Sequence, residues 1–592
     1  MVAAVPEPTR HPLPSVKVNG VPIAEPALMA LNDVRVDQSM HLPDRFRLRF
    51  HDRERVLVDG NAFPMGAPID VAVDVGRGPA MLLRGEITQV TVDLLADGRT
   101  EFVVSGLDRG HRLARGVKVR TFAKVNDTVV VRQIARAHGL QAKVGPTTLT
   151  HEYLLQYGTD FAFLGERARA LGFEWWVNDT TLYFQPRTGA PVGPTLRHGA
   201  NLVSLRLRVS SAETCDDVTV QSWDPVTQRP VSARVAAAAG IATDAPFATA
   251  LVAGAKKSAA TRTKRFTGTT PVSNAAEAKV LARALADRAA AEQVVAKGVA
   301  VGDPALMAGG TARIEGAGTR LSGTYHLTEV EHVIDDVHGY VSRFTAGGHE
   351  AGGLVSLLGG RGASRAWVDA LLVGVVTNND DPERLGRVKV RFPSLSDGDE
   401  SAWARIVSVG AGKSRGLRVV PDVNDEVLVG FEQGDPRRPL VLGGLWSSHN
   451  AHPDPAGAPK AGAVWRSHVG HSFEMSDGLD PTQRFIALSL GDKRTGLRLG
   501  EDAVSLTTPK HMAMQAGGGA EWKVRGALVI EADTITIRSR AGVVIDGGAS
   551  AQLKADGPTQ VSGASASLQG NDAVTVQSGG TTSVRGLTVR VN

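Results

Sequence analysis

Residues 412–416 (GKSRG) have the G-x-S-x-G spacing with which many hydrolases present a nucleophilic serine. In such an elbow, the serine lies on a sharp turn that leads from a strand into a helix. Here short apolar alternations flank Ser414 on both sides, and these predict two strands of a small barrel. The spacing alone therefore does not predict a catalytic serine, and we expect no enzymatic activity.

Two other patterns resemble ligand sites. Residues 410–414 (GAGKS) match the end of a phosphate-binding loop, but Val407 stands where its first glycine would fall. The sequence therefore does not predict nucleotide binding. Two histidine pairs have spacings that could hold a metal, although no third ligand is evident for either. We expect no metal and no cofactor at these pairs, which are His449 with His452 and His468 with His471.

The serine and the glycine-rich loop lie within residues 368–450, a segment of short alternating apolar runs separated by turn residues. Such runs are typical of a small closed or nearly closed barrel of five or six strands, about the size of an OB fold. The predicted strands are 371–375, 388–392, 404–407, 417–419, 427–429 and 440–442.

The same segment carries a long ordered pattern, which resembles the OB domain of VgrG and of phage-type baseplate spike proteins. In it, Pro439 begins the last strand, where a missing backbone N–H costs little. The pattern consists of Gly374, Asp381-Pro382, residues 385–393 (LGRVKVRFP), residues 403–405 (WAR) and residues 421–439 (PDVNDEVLVGFEQGDPRRP).

The first part of the chain predicts mainly strands with a few helices. Residues 46–50 (FRLRF) alternate, and Asn19-Gly20 between two apolar runs signals a tight hairpin. Three helices follow from cap signals. The first is capped by Asn126 or Asp127 and ends at Gly139, the second is capped by Asp160 and ends at Gly172, and the third is opened by the capping box of Asn274 and Glu277 and runs to about Lys297, before Gly298.

Two stretches of this part resemble the hub half of the same spike proteins. Residues 159–184 combine a helix with a hairpin, as in phage late-control tail proteins, and residues 302–332 have the G-x-P-x-L, G-x-Y and V-x-H pattern of the closing barrel. The resemblance implies a hub-like domain of two β-barrels plus helices over residues 1–350. The polar, basic residues 254–272 predict an exposed loop, and the Gly-rich residues 351–367 predict a linker.

The last part, residues 457–592, predicts a different architecture. Short β-branched runs, such as 497–499 and 504–506, alternate with small polar turns, and no aromatic residue follows Trp522. So little apolar volume cannot form a core within one chain. Three intertwined chains could bury one Val, Ile or Leu per chain in each layer, which predicts a trimeric β-prism or β-helix. A disordered low-complexity tail is the alternative.

The composition limits the function further. A net charge of +5 over 592 residues argues against a nucleic-acid binder. The single cysteine, Cys215, excludes an intrachain disulfide and fits synthesis in a reducing compartment. The prolines in the first residues do not suit a signal peptide, and no apolar run is long enough to span a bilayer. We therefore expect synthesis in the bacterial cytoplasm and export by another route.

Taken over nearly the whole chain, the resemblance implies a homotrimeric central spike of a contractile injection system. In that class, sheath contraction drives the inner tube forward, and the trimer at its front pierces the target envelope with transient membrane contact. It implies inner tube and baseplate proteins as partners at the hub end. The compact size favours an extracellular phage-tail-like particle over a type VI secretion VgrG or a phage baseplate spike.

Two rival classes remain open. A spike-borne hydrolase would need a catalytic insert between barrel and prism, and none is visible. A trimeric adhesin would need exposed aromatic residues for stacking on sugars.

The final residues, 586–592 (GLTVRVN), resemble the endings of spike proteins that carry a PAAR-type tip protein. The resemblance implies that Leu587, Val589, Val591 and Asn592 of three chains form a platform for such a tip. A bare last core layer is the alternative.

Overall fold

The computed structural model describes residues 12–40, 42–186, 192–210, 216–224, 227–236, 243–246, 264–267, 271–348, 371–395, 398–453 and 462–591. The predicted linker at 351–367, most of the basic loop at 254–272, Cys215 and Asn592 lie outside these residues. The chain divides into two compact units, Met1–Ala458 and Pro459–Asn592. Within the described ranges, no helix is long and apolar enough to cross a membrane.

Strands dominate, as the sequence predicts. The helices are α1 (Glu25–Ala30), α2 (Val56–Asp59), α3 (Asp127–Ala137), α4 (Asp160–Leu171) and α5 (Ala275–Glu292). The N-terminal segment (residues 12–348) contains β1 (Leu13–Val18), β2 (Val21–Pro22), β3 (Leu31–Ser39), β4 (Arg45–His51), β5 (Pro68–Asp74), β6 (Pro79–Leu94), β7 (Thr100–Asp108), β8 (Lys118–Asn126), β9 (Gln141–Val144), β10 (Thr150–Gly158), β11 (Phe173–Asn178), β12 (Thr181–Pro186), β13 (Thr195–Arg197), β14 (Leu202–Val209), β15 (Asp217–Asp224), β16 (Arg229–Ala236), β17 (Lys264–Thr267), β18 (Val294–Val301), β19 (Thr311–Glu315), β20 (Gly323–Asp335) and β21 (Gly339–Ala346). The barrel segment (residues 371–453) contains β22 (Leu372–Asn378), β23 (Lys389–Arg391), β24 (Arg405–Ile406), β25 (Glu426–Phe431) and β26 (Pro439–Gly444). The tail segment (residues 462–591) contains β27 (Gly462–Arg466), β28 (Ser472–Asp477), β29 (Arg484–Ser489), β30 (Gly496–Gly500) and β31 (Val504–Thr507).

One large sheet organises the N-terminal segment. Its order is β14-β18-β21-β20-β3-β4-β7-β6-β5-β1-β2, with β19 and β13 attached at β20. At the centre, β20 pairs antiparallel with β3, and His332 lies opposite Val36. The hairpin β20–β21 lies on one side of this pair and the hairpin β3–β4 on the other. Because an antiparallel pair has a local two-fold axis, the two hairpins are topologically equivalent.

Each half of this sheet buries its own core. The predicted alternation of residues 46–50 is confirmed, because every second side chain points inward. One core includes Val34, Val36, Phe46, Leu48 and Phe50, and the other includes Tyr325, Leu327, Val330 and Phe344.

Helices α3 and α4 share a further core with β11 and β12. Asn126 caps α3 as predicted, accepting a hydrogen bond from the Val129 amide at 3.0 Å. The predicted cap of α4, Asp160, is wrong, because Thr159 accepts the Ala162 amide at 3.1 Å. The Asp160 carboxylate instead pairs with three cationic or imidazole side chains, those of Lys118, Arg120 and His138.

Helix α5 begins as predicted, because the Asn274 side chain accepts the Glu277 amide at 2.9 Å. Its predicted end near Lys297 is wrong, since the helix ends at Glu292 and β18 follows. Gly298 is not a helix stop. It lies opposite Phe344 in the sheet, and a Cβ there would come within 2.2 Å of the Phe344 ring. The glycine therefore lets this ring cover the strand backbone.

The barrel segment forms a five-stranded sheet of order β23-β22-β25-β26-β24, within the predicted strand number. Asp381 organises its first turn, accepting the Leu385 amide at 2.9 Å and pairing with Arg387 at 2.7 Å. The predicted strand at 417–419 is wrong. These residues are irregular, and the Leu417 carbonyl accepts a hydrogen bond from the Ser408 hydroxyl within a loop.

The tail segment begins with β27–β31, a five-stranded antiparallel meander. After Thr507, the described residues of the tail segment form no strand pairing within this chain. Residues 509–591 are all exposed.

Candidate functional site

The motifs that resemble catalytic or ligand sites lie on exposed turns. The Gly412 amide donates to the Arg415 carbonyl at 3.0 Å and closes a turn in which Ser414 has a φ of 55°. Residues 416–424 then continue without the helix that a nucleophile elbow requires. His471 accepts the Gly491 amide at 3.0 Å. Across the part of the chain that the structure describes, no three His, Cys, Asp or Glu side chains group as a metal site.

The sheet of β27–β31 has one face on which apolar side chains form two complete rows, here called the apolar face; the pair Asp477 and Arg484 lies at its edge. Because side chains alternate along a strand, two adjacent cross-strand rows share this face. The first row is Ala463, Met475, Ile486, Leu499 and Val504, and the second is Trp465, Phe473, Leu488, Leu497 and Leu506.

Most of the apolar face is exposed in the single chain. Nine of its ten apolar side chains are exposed and Leu497 is half-buried, which is more contiguous apolar surface than monomeric proteins usually leave uncovered. Of this sheet, the sequence patterns predicted only the last two strands, β30 and β31. The alternations Phe473/Met475 and Ile486/Leu488 carry the same signal and could have revealed the other strands.

Beyond the apolar face, apolar residues recur every seven or eight positions between residues 537 and 591, and all of these recurring residues are exposed. Extended backbone normally pairs its N–H and C=O groups with a neighbouring strand. The described residues of the chain supply no such neighbour to residues 509–591. The recurring residues are Ile537, Ile545, Leu553, Val561, Leu568, Val576, Val584 and Val591.

The predicted tip platform lies at the end of this stretch. Leu587 and Val591 are 110% and 89% exposed, and Val589 is 50% exposed. Their i, i+2 spacing would place the three side chains on one face if this stretch formed a strand with other copies of the chain. Asn592 lies outside the described residues. The platform stays a prediction.

The large sheet of the N-terminal segment lines a cavity of about 780 Å³. Arg206 and Lys297 lie directly opposite each other on β14 and β18, although like charges in this position destabilise a sheet. On the next two strands of the same sheet, β21 and β20, Arg343 pairs with Glu331 at 3.0 Å. Because these charged side chains line the cavity, we expect the cavity to be filled with water.

Buried polar groups in the N-terminal segment hold its parts together. Asp127 pairs with Arg167 at 2.6 Å and with His151 at 2.8 Å, tying α3 to α4. Burial opposes ionisation of Asp127, but the two partners outweigh it and hold the pKa well below its usual range. His332 contacts the Leu306 carbonyl at 3.1 Å, and burial lowers its pKa to about 4.

Two family descriptions match the chain. Residues 372–446 match the type VI secretion system/phage-baseplate injector OB domain, inside the predicted barrel. Residues 15–336, more than half of the chain, match the Alg8 N-terminal domain.

Proteins similar in sequence include type VI secretion system spike proteins. Type VI secretion system spike protein VgrG1b of Pseudomonas aeruginosa is 32% identical over 129 residues, 20% of this chain and 17% of that protein. VgrG4b of the same organism is 43% identical over 81 residues, 13% of this chain and 10% of that protein. The chain therefore spans less than a fifth of the length of these relatives.

Solved structures show partial similarity. A Francisella PdpA–VgrG complex has a TM-score of 0.49 at 8% identity, covering 84% of this chain and 80% of its own. An E. coli component of the type VI secretion system has a TM-score of 0.46 at 15% identity, covering 73% and 99%.

The strand-rich fold, the injector OB domain and the spike relatives define a VgrG-like baseplate hub-and-spike protein. The chain belongs to the family of the Alg8 N-terminal domain.

Proposed function

We propose that three copies of this chain form the central spike of a contractile injection system. The observation that carries this proposal is the tail segment, in which residues 509–591 are exposed and lack an intrachain strand partner. Three copies would pair these strands with one another and cover the recurring apolar residues along a common axis. The apolar face immediately before them would be covered in the same way.

The N-terminal segment is proposed to join this three-fold spike to inner tube and baseplate proteins. Support comes from the two-fold relation between the hairpins β3–β4 and β20–β21. Because each chain has two equivalent hairpins, three chains would present six of them in a ring. Such a ring could meet a tube of six-fold symmetry while the tail segment keeps three-fold symmetry.

The action of the spike is proposed to be mechanical and without catalysis. Contraction would push the trimer forward, and its tapered end would pass through the target envelope with transient membrane contact. A PAAR-type tip protein on Leu587, Val589 and Val591 would sharpen that end. An extracellular particle is our preferred setting, with a type VI secretion system or a phage baseplate as the alternatives.

The mass of the purified protein tests the proposal. The chain has a mass of 62.3 kDa, so a trimer has three times that mass, about 187 kDa. Light scattering at micromolar concentration should give this value, and electron microscopy should show a tapered rod with a wider base. A stable monomer under these conditions would overturn the proposal.

A further inference from the structure

The loop between β25 and β26 reaches from the barrel segment into the N-terminal segment. At its end, Arg437 donates to the Glu277 carboxylate at 2.7 Å and to the Pro271 carbonyl at 3.1 Å. The same guanidinium is oriented from its own loop by Asp435, at 2.9 Å. One side chain therefore connects the barrel loop to the start of helix α5.

The next residue, Arg438, also donates from the barrel loop to two acceptors in the N-terminal segment. Arg438 donates to the Val272 carbonyl at 2.6 Å and to the Trp223 carbonyl at 3.1 Å. We call these contacts the arginine clamp, formed by Asp435, Arg437 and Arg438 of the barrel segment with Trp223, Pro271, Val272 and Glu277 of the N-terminal segment.

The arginine clamp is largely shielded from solvent. The side chains of Arg437 and Glu277 are each 17% exposed, and that of Asp435 is 1% exposed. Burial alone would raise the pKa of Glu277, but the Arg437 charge and the Ser273 amide lower it. Both partners are therefore charged at neutral pH. Charge-assisted hydrogen bonds in such surroundings are about twice as strong as neutral ones.

We propose that Arg437 and Arg438 are positioning residues that fix the barrel segment to the N-terminal segment, so that thrust applied at the hub end reaches the spike. This inference rests on the proposed function. The fork of each arginine spans two separate acceptors, which resists rotation as well as separation of the two segments. A second contact, from Thr121 to Asp399 at 2.9 Å, lies elsewhere between the same segments.

Hydrogen exchange of the full-length protein tests the clamp from both sides. The Ser273 amide donates to Glu277 at 2.7 Å in the N-terminal segment, and the Arg438 amide donates to Asp435 at 2.9 Å in the barrel loop. Arg437→Gln should speed exchange at Ser273, and Glu277→Gln should speed exchange at Arg438, each by about tenfold or more. Arg437→Lys, which keeps the charge but loses the fork, should give an intermediate effect.

Control variants remove ion pairs that do not cross between the segments. Lys389→Gln breaks the Lys389–Glu400 pair inside the barrel segment, and Arg283→Gln breaks the Arg283–Asp287 pair on α5. Neither should change exchange in the opposite segment. A purely local role of Arg437 in its own loop would leave Ser273 unaffected. Unchanged exchange at Ser273 in Arg437→Gln and at Arg438 in Glu277→Gln would overturn the proposal.

The same samples separate this inference from the proposed function. If the wild-type protein is a trimer but the two exchange sites are independent, the clamp is wrong and the spike proposal stands. If the wild-type protein is a monomer, the spike proposal fails whatever the exchange shows.

Discussion

Leu488 lies in the central strand of the apolar face, between Phe473 and Leu497. We predict that Leu488→Asp destabilises the trimer and that Ser489→Asp, on the opposite face of the same strand, does not. Leu488 is 51% exposed in the single chain, so association buries about half of it, which contributes about 0.8–1.5 kcal/mol per copy. Three copies therefore lose roughly 2–5 kcal/mol before three carboxylates are desolvated. Since each 1.4 kcal/mol is a factor of ten, association should weaken by at least about thirtyfold.

Trimer dissociation in urea measures this difference, with light scattering for mass and circular dichroism for folding of the N-terminal segment. At a urea concentration where the wild-type trimer is half dissociated, Leu488→Asp should be monomeric and Ser489→Asp should resemble the wild type. The reasoning would be refuted if both variants dissociated at the wild-type midpoint. In that case, the apolar face would not lie between chains.

Two further predictions concern the tip and the buried histidine. Deleting residues 588–592 should leave the trimer intact but abolish co-purification of a PAAR-type tip protein, and undiminished recovery of the tip would contradict the platform. His332 has a folded pKa of about 4 against 6.5 when unfolded, so the unfolded chain binds more protons between these values. Stability should therefore fall by about 2 kcal/mol between pH 7 and 4.5 on account of this group. In urea unfolding, the change in stability between these pH values should be less favourable in the wild type than in His332→Gln by about 2 kcal/mol, and equal pH dependences in both would disprove it.

Local signals in the sequence predicted the elements whose ends are set by nearby residues. Asn126 and Asn274 cap their helices because a cap needs only an acceptor three residues before an amide. The strands around Phe46 and Val429 follow from alternation alone.

The features that the sequence did not predict depend on contacts between residues far apart in the chain. Strand β18 replaces the end of the predicted helix because it pairs with β14 and β21, distant in sequence. Asp160 does not cap helix α4 as predicted, because its carboxylate pairs with Lys118 and Arg120 of strand β8. The arginine clamp also joins residues far apart in the chain, so no local pattern around Arg437 could reveal its partner.

On the proposed function, two kinds of surface in the tail segment would contribute to assembly of the trimer. Apolar residues recur at a nearly constant spacing beyond β31, so a chain displaced by one repeat would still match its apolar rows. Strand register is weakly specified under such conditions. The apolar face carries a different pair of side chains in each strand, including Trp465 and Phe473, so tight packing between chains would favour one register. On the proposed function, this face therefore sets the register and the repeating residues extend it. Leu488→Asp chains should then form misaligned assemblies as well as monomers, and uniform trimers of wild-type stability would contradict this division.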